Sequence, residues 1–221
     1  MTNRQPKGTP VGGQFAEGRK PDGPDLGEPG KNHLFGHQGG VPARRHINPD
    51  GSVGGWVADS ARVAPTVYVD AYAAVFGNAQ VSGYAKILDD AKVFDNAEVF
   101  DNAVVSGNAE VSGNDQVFGH AKVTDWGVVT GSARVWNSAI ISEDATISGN
   151  ANIFEDAKVS GTAKVDGDVK VHGKAQVAEQ VLLHDHAIIR GKAVIRGSAV
   201  IGGEMEFHRG GWDEKKIERK F

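Results

Sequence analysis

Residues 91–114 read AKVFDN, AEVFDN, AVVSGN and AEVSGN, four consecutive units of six in which Ala opens each unit and Val holds its third place. The same frame runs from Ala61 to Glu204 without a single insertion. Its third place is always Val, Ile or Leu. Its first is Ala nearly throughout, with Val67, Val169 and Val181 as variants and Asp115 and Gly127 as the two breaks.

Small, outward, branched, outward is the alternation of a short strand with one buried face. A β-branched third residue favours extended backbone and fills an interior. Gly-Asn, Asp-Asn and Gly-Ser then follow, pairs that tolerate left-handed dihedrals and turn the chain. Strand and corner therefore recur every six residues. A single unit buries too little to fold, so units must stack and share a core. Three units per coil give a triangular prism with 18 residues per turn and roughly eight coils. At about 4.8 Å between coils the rod is roughly 35–40 Å long. Two- and four-sided helices prefer other repeat lengths. The expected fold is all-β, a single-stranded parallel β-helix.

Bulk composition agrees with a solenoid. Only 39% of the 221 residues are hydrophobic and 30 are Gly, and a solenoid needs only a narrow apolar stripe. A formal charge of −4 favours neither a polybasic nucleic-acid binder nor an acidic mimic of DNA. The cations of the last coils, such as Lys170, Lys174 and Arg190, are interleaved with Asp166, Asp168 and Asp185, so no basic groove is expected. With no Cys, disulfides and thiolate metal sites are excluded. No stretch is long and apolar enough for a membrane helix. Met1 to Arg19 has no apolar core segment of the kind a secretory signal carries, and cytoplasmic residence is the expectation.

Residues 1–50 are rich in Gly, Pro and charge and read as a flexible tail. Residues 51–204 form the helix with its N-terminal cap, in which Trp56 is expected to lie over the open first coil. Residues 205–221 read as a C-terminal cap, with a short helix carrying Trp212, Ile217 and Phe221 on one side. That segment or another subunit would cover Leu182, Ile188, Val194 and Val200, apolar residues at outward places.

The unit V-x-G-N-A-x, as in Val75 to Gln80, resembles the hexapeptide repeat of the left-handed β-helix superfamily over about two thirds of the chain. Gly54-Gly55-Trp56-Val57 followed by such units is similar to YdcK-like repeat proteins of bacteria and phages. The resemblance implies left-handed coils, which period alone does not supply. Arg4 to Ala16 resembles a leader of assorted actinobacterial and actinophage proteins, and implies a phage or mobile-element setting.

Residues 18 apart should form columns on the outside of the rod. One column holds Phe100, Phe118, Trp136 and Phe154, followed by His172 and Arg190. Exposed apolar stripes mark interfaces, so these four rings are the candidate interaction site. A trimer interface is the favoured reading, since many hexapeptide-repeat proteins associate side by side. Cover by the N-terminal tail, or stacking on a protein partner or a glycan, remain open. A ladder of Asn78, Asn96, Asn114, Ser132 and Asn150 is expected at one corner and is structural. A column of Leu88, Ser106, Thr124, Ser142 and Ser160 lies beside Lys86, Lys122 and Lys158, which would interrupt the ordered water of an ice-binding face.

The expected function is a non-catalytic structural or interaction scaffold with no cofactor and no metal. The alternative implied by the superfamily is an acyltransferase or a γ-carbonic-anhydrase-like enzyme with a site between subunits. Acyltransferases of that kind use a protruding loop, and none interrupts Ala61 to Glu204. A carbonic anhydrase needs three imidazoles on zinc with a fourth position open. His184 and His186 are the weak metal candidates. Their columns place one on a face and the other at a corner, with Asp168 stacked below His186.

Overall fold

The computed structural model describes residues 33–35 and 41–213. Two-residue strands start every six residues, and each pairs in parallel with the strand three units away. Glu98, for example, lies between Gln80 and Gln116, offsets of 18 in both directions. The protein is therefore a parallel β-solenoid with three faces. We call them A (the Lys92–Val93 face), B (the Glu98–Val99 face) and C (the Val104–Val105 face).

The backbone forms this ladder continuously, because outward-facing amides donate to the next coil. Gln80 N donates to Ala97 O at 2.9 Å and Ser82 N to Val99 O at 2.9 Å. Inward, the Ala and Val/Ile/Leu columns are buried along the whole rod and form one core. Each buried Val, Ile or Leu side chain contributes roughly 1.5–3 kcal/mol by leaving water, and each Ala less.

Corners use the fifth place of each unit. Thirteen residues of the repeat there are Gly with positive φ, and nine are Asp, Asn or Glu with φ between 56° and 68°. The acids offset the cost of that backbone in a specific way. Asp89 Oδ2 accepts Gly107 N at 3.0 Å, Asp125 Oδ2 accepts Glu143 N at 3.1 Å, and Glu143 Oε2 accepts Gly161 N at 2.7 Å. A left-handed acid thus ties its corner to the next coil with a charge-assisted bond. Glycine serves a second purpose at Gly107, where a Cβ would come within 2.8 Å of Asp125 backbone nitrogen and oxygen.

The boundary expected at Asp50 lies earlier. β1 (His33–Phe35), β2 (Val41–Ile47) and β3 (Val53–Ala58) run antiparallel to one another, and β3 opens face A. Residues 41–50 therefore belong to the folded rod. The expectation of a flexible segment for residues 1–32 and 36–40 falls outside the described residues.

β2 and the turn after it close the N-terminal end with side chains that imitate a strand. Asn48 Oδ1 accepts Val69 N at 2.9 Å, while its Nδ2 donates to Val69 O at 3.2 Å. His46 Nε2–H donates to Val67 O at 2.9 Å. Arg45, only 5% exposed, donates to Gly54 O and Ala71 O. Backbone groups with no preceding coil are paired this way. Trp56 does not cover the core as expected. It lies in register with Ala74 on face A, with the Arg45 guanidinium 4.5 Å from its ring centre. Gly54 and Gly55 allow the crossing itself, since a Cβ on either would lie within 2.5 Å of a backbone oxygen below.

At the other end the repeat outlasts its expected limit. Met205 and Phe207 occupy the first and third places of one more unit, and Glu206–Trp212 is a strand paired with Ile188–Ile195. The offset shrinks from 18 at Ile189–Phe207 to 17 at Lys192–Arg209. Phe207 is buried, and Trp212 meets its ring edge-on at 5.0 Å. Larger side chains in the Ala and Val places fill the opening below the last full coil. Residues 206–212 are thus a ninth-coil strand, ended by Trp212, the residue expected to begin the cap helix. The helix expected beyond them lies outside the described residues. Face A carries nine stacked strands from β3 to Val200–Ile201, one more than the eight coils expected, because β3 adds a strand at the N-terminal end, while the closing strand extends the ladder at Ile188–Ile195. Val200 remains 57% exposed.

Candidate functional site

The aromatic column lies on face B, where the 18-residue offset places it. Phe100 and Phe118 stack with ring centres 4.8 Å apart, Phe118 and Trp136 at 5.8 Å, and Trp136 and Phe154 at 4.7 Å. Interplanar angles are 9° or less. His172 continues the ladder against Phe154 at 4.6 Å, and Arg190 then hydrogen-bonds His208. Each ring shields the faces of its neighbours, so all five are half-buried and present an edge to water. Parallel rings at the coil spacing stabilise the stack. Beside them Gln116 donates to Glu98 at 3.0 Å, and Arg134 is exposed. Face A has a shorter ladder that the column reading did not single out, Phe76 on Phe94 at 4.9 Å.

His184 and His186 occupy the face and corner positions expected of them, and each meets a carboxylate. His184 Nδ1 lies 2.9 Å from Asp185 Oδ2, and His186 Nε2 lies 3.5 Å from Asp168 Oδ2. Asp185 also accepts Gly203 N at 2.9 Å. That backbone bond first, and the His184 contact after it, hold its carboxyl below the usual carboxylate range. The His184 ring covers Gly202, where any Cβ would collide with it. Among the described residues no three His, Asp or Glu side chains converge as a metal-holding group.

The expected amide ladder holds over Asn78, Asn96 and Asn114, while Asn150 bonds an acid outside it. Asn78 donates to Asn96 and Asn96 to Asn114 at 3.3 and 3.2 Å, and Asn150 donates to Asp168 at 3.0 Å.

Two features escaped the columns. Asp115, a break in the Ala column, is fully buried: Oδ1 accepts Ala133 N at 2.7 Å and Oδ2 has no partner. Burial pushes its carboxyl up to about 7, against the opposing pull of the Ala133 amide. Tyr72 and Trp126, 42% and 61% exposed, stand on one corner column. A signal was available for the second, since most units end in Asn, Asp, Ser or another small polar residue where Trp126 stands.

No family model matches the sequence, and no curated protein matches it either.

Proposed function

We propose that the chain is a rigid, non-catalytic scaffold that associates with copies of itself through the face B aromatic ladder, with a trimer as the assembled form. The observation that carries this reading is the ladder: four aromatic side chains stacked in register over about 14 Å of rod, each half-buried and none covered. Two-residue strands and tight corners follow one another along the rod, which suits broad lateral contact. The mixed polar flank of Glu98, Gln116 and Arg134 suits the rim of such a contact. A phage or mobile-element setting belongs to the same proposal and rests on the leader resemblance; cytoplasmic residence belongs to it too, and a chain with no Cys suits a reducing compartment.

Mass in solution tests it. The wild-type chain should run at three times 23.3 kDa, and Phe118→Asp or Trp136→Asp should reduce it to the monomer mass while the far-ultraviolet dichroism stays that of a β-solenoid. A wild-type monomer, or an unchanged mass in both variants, would overturn the proposal. The enzymatic alternative makes a separate forecast: metal retained through chelator-free purification and lost on His184→Ala or His186→Ala.

A further inference from the structure

Tyr72, Asp90, Asn108 and Trp126 occupy one corner in four successive coils. Ala74, Lys92, Glu110 and Val128 lie beside them in register on face A. Together they line a groove of about 510 Å³. Its pattern is symmetrical: an aromatic ring beside a small apolar residue at each end, and two coils of polar side chains between. The end rings are three coil steps apart, about 14 Å, the length of about three pyranose rings joined end to end.

The chemistry of the groove selects its occupant. Ala74, Lys92, Glu110 and Val128 N already donate to Ala91, Ala109, Gly127 and Ala145 O in the coil below. An extended peptide adding itself as a strand would find no backbone partner here. Lys92 Nζ donates to Glu110 Oε1 at 2.9 Å, so those charges compensate and Asp90 leaves the groove with a formal charge of −1. That balance does not call for a phosphate or a polyanion. Carboxylate, amide and ammonium groups side by side suit a ligand that donates and accepts many hydrogen bonds without charge. Exposed Tyr and Trp rings suit one that also has flat C–H faces.

We propose that this groove binds a neutral oligosaccharide, with Tyr72 and Trp126 stacking on two of its sugar rings and Asp90, Lys92, Asn108 and Glu110 exchanging hydrogen bonds with the hydroxyls between them. The groove lies on a different face from the aromatic ladder, and the proposal does not depend on self-association.

Titration calorimetry on the full chain, with tetrasaccharides of β-1,4-glucose, β-1,4-N-acetylglucosamine, β-1,4-mannose and α-1,4-glucose as probes, tests the site. At least one should bind and alter tryptophan fluorescence. Trp126→Ala and Tyr72→Ala should each weaken binding by about tenfold or more, and Trp126→Phe should keep most of it. Tyr84→Ala, at an exposed ring outside both the groove and the ladder, should leave binding unchanged. Both aromatic positions are exposed, so the solenoid dichroism should persist in every variant. Failure of all four probes to bind, wild-type affinity in Trp126→Ala and Tyr72→Ala, or loss on Tyr84→Ala would overturn the proposal.

Discussion

Replacing Asp115 with Ala should make the solenoid more stable, by an amount that grows with pH. The carboxyl occupies a place held by Ala in most other coils, with one oxygen bonded to Ala133 N and the other unpartnered. In the folded chain burial raises its pKa from 3.8 to about 7. A folded-state pKa above the unfolded one means that the folded chain binds more protons between those values. The group's contribution to stability is therefore fully present below pH 3.8 and is lost as pH rises through about 7. About three pKa units at 1.36 kcal/mol each give a loss on the order of 4 kcal/mol. Against that, Asp115→Ala forfeits the bond to Ala133 N, worth about 1 kcal/mol. The freed amide can turn to Thr130 O, as Ala97 N does to Phe94 O at 3.3 Å. The variant should thus be about 2–3 kcal/mol more stable than wild type at pH 8, and within about 1 kcal/mol of it at pH 4. Urea denaturation followed by far-ultraviolet dichroism at both values measures the difference, and taking the difference cancels the other carboxylates. Asp115→Asn, which keeps the size and removes the titration, should flatten the pH dependence equally. Parallel stability curves for wild type and both variants would refute the reasoning.

Two further outcomes follow from the corners and the cap. Gly107→Ala should cost at least about 2 kcal/mol, because it adds a close approach to Asp125 backbone to the left-handed penalty. Gly203→Ala, at φ +65° with open space around it, should cost only about 1 kcal/mol by thermal denaturation. Asn48→Ala removes both bonds to Val69 and should cost about 2–3 kcal/mol. Amide exchange should speed up at Val69 and through the first coil while coils near Val135 stay protected, since a solenoid opens from its ends. Uniform acceleration along the rod would contradict that local account.

The middle of the rod was legible from residue order alone. Alternation at Ala and Val, together with a corner residue able to adopt positive φ every sixth place, specifies local geometry, and units of identical length can only stack in register. Phe100, Phe118, Trp136 and Phe154 therefore fall into one column by their spacing of 18 residues, and the same spacing separates His184 and His186 between a face and a corner. Both ends are less legible in the sequence, because an end has no neighbouring coil and must satisfy its backbone and core by other means. Arg45, His46 and Asn48 stand in for a missing strand through contacts up to 26 residues away, and nothing local in residues 41–48 announces that. Met205 and Phe207 keep the period but break the residue pattern, since the final layer needs bulk where inner layers need small and branched side chains. The wetness of the aromatic ladder depends on how each ring leans over the next, and the protonation of Asp115 on what surrounds it. Those properties arise from packing between coils, where distances in space replace distances along the chain.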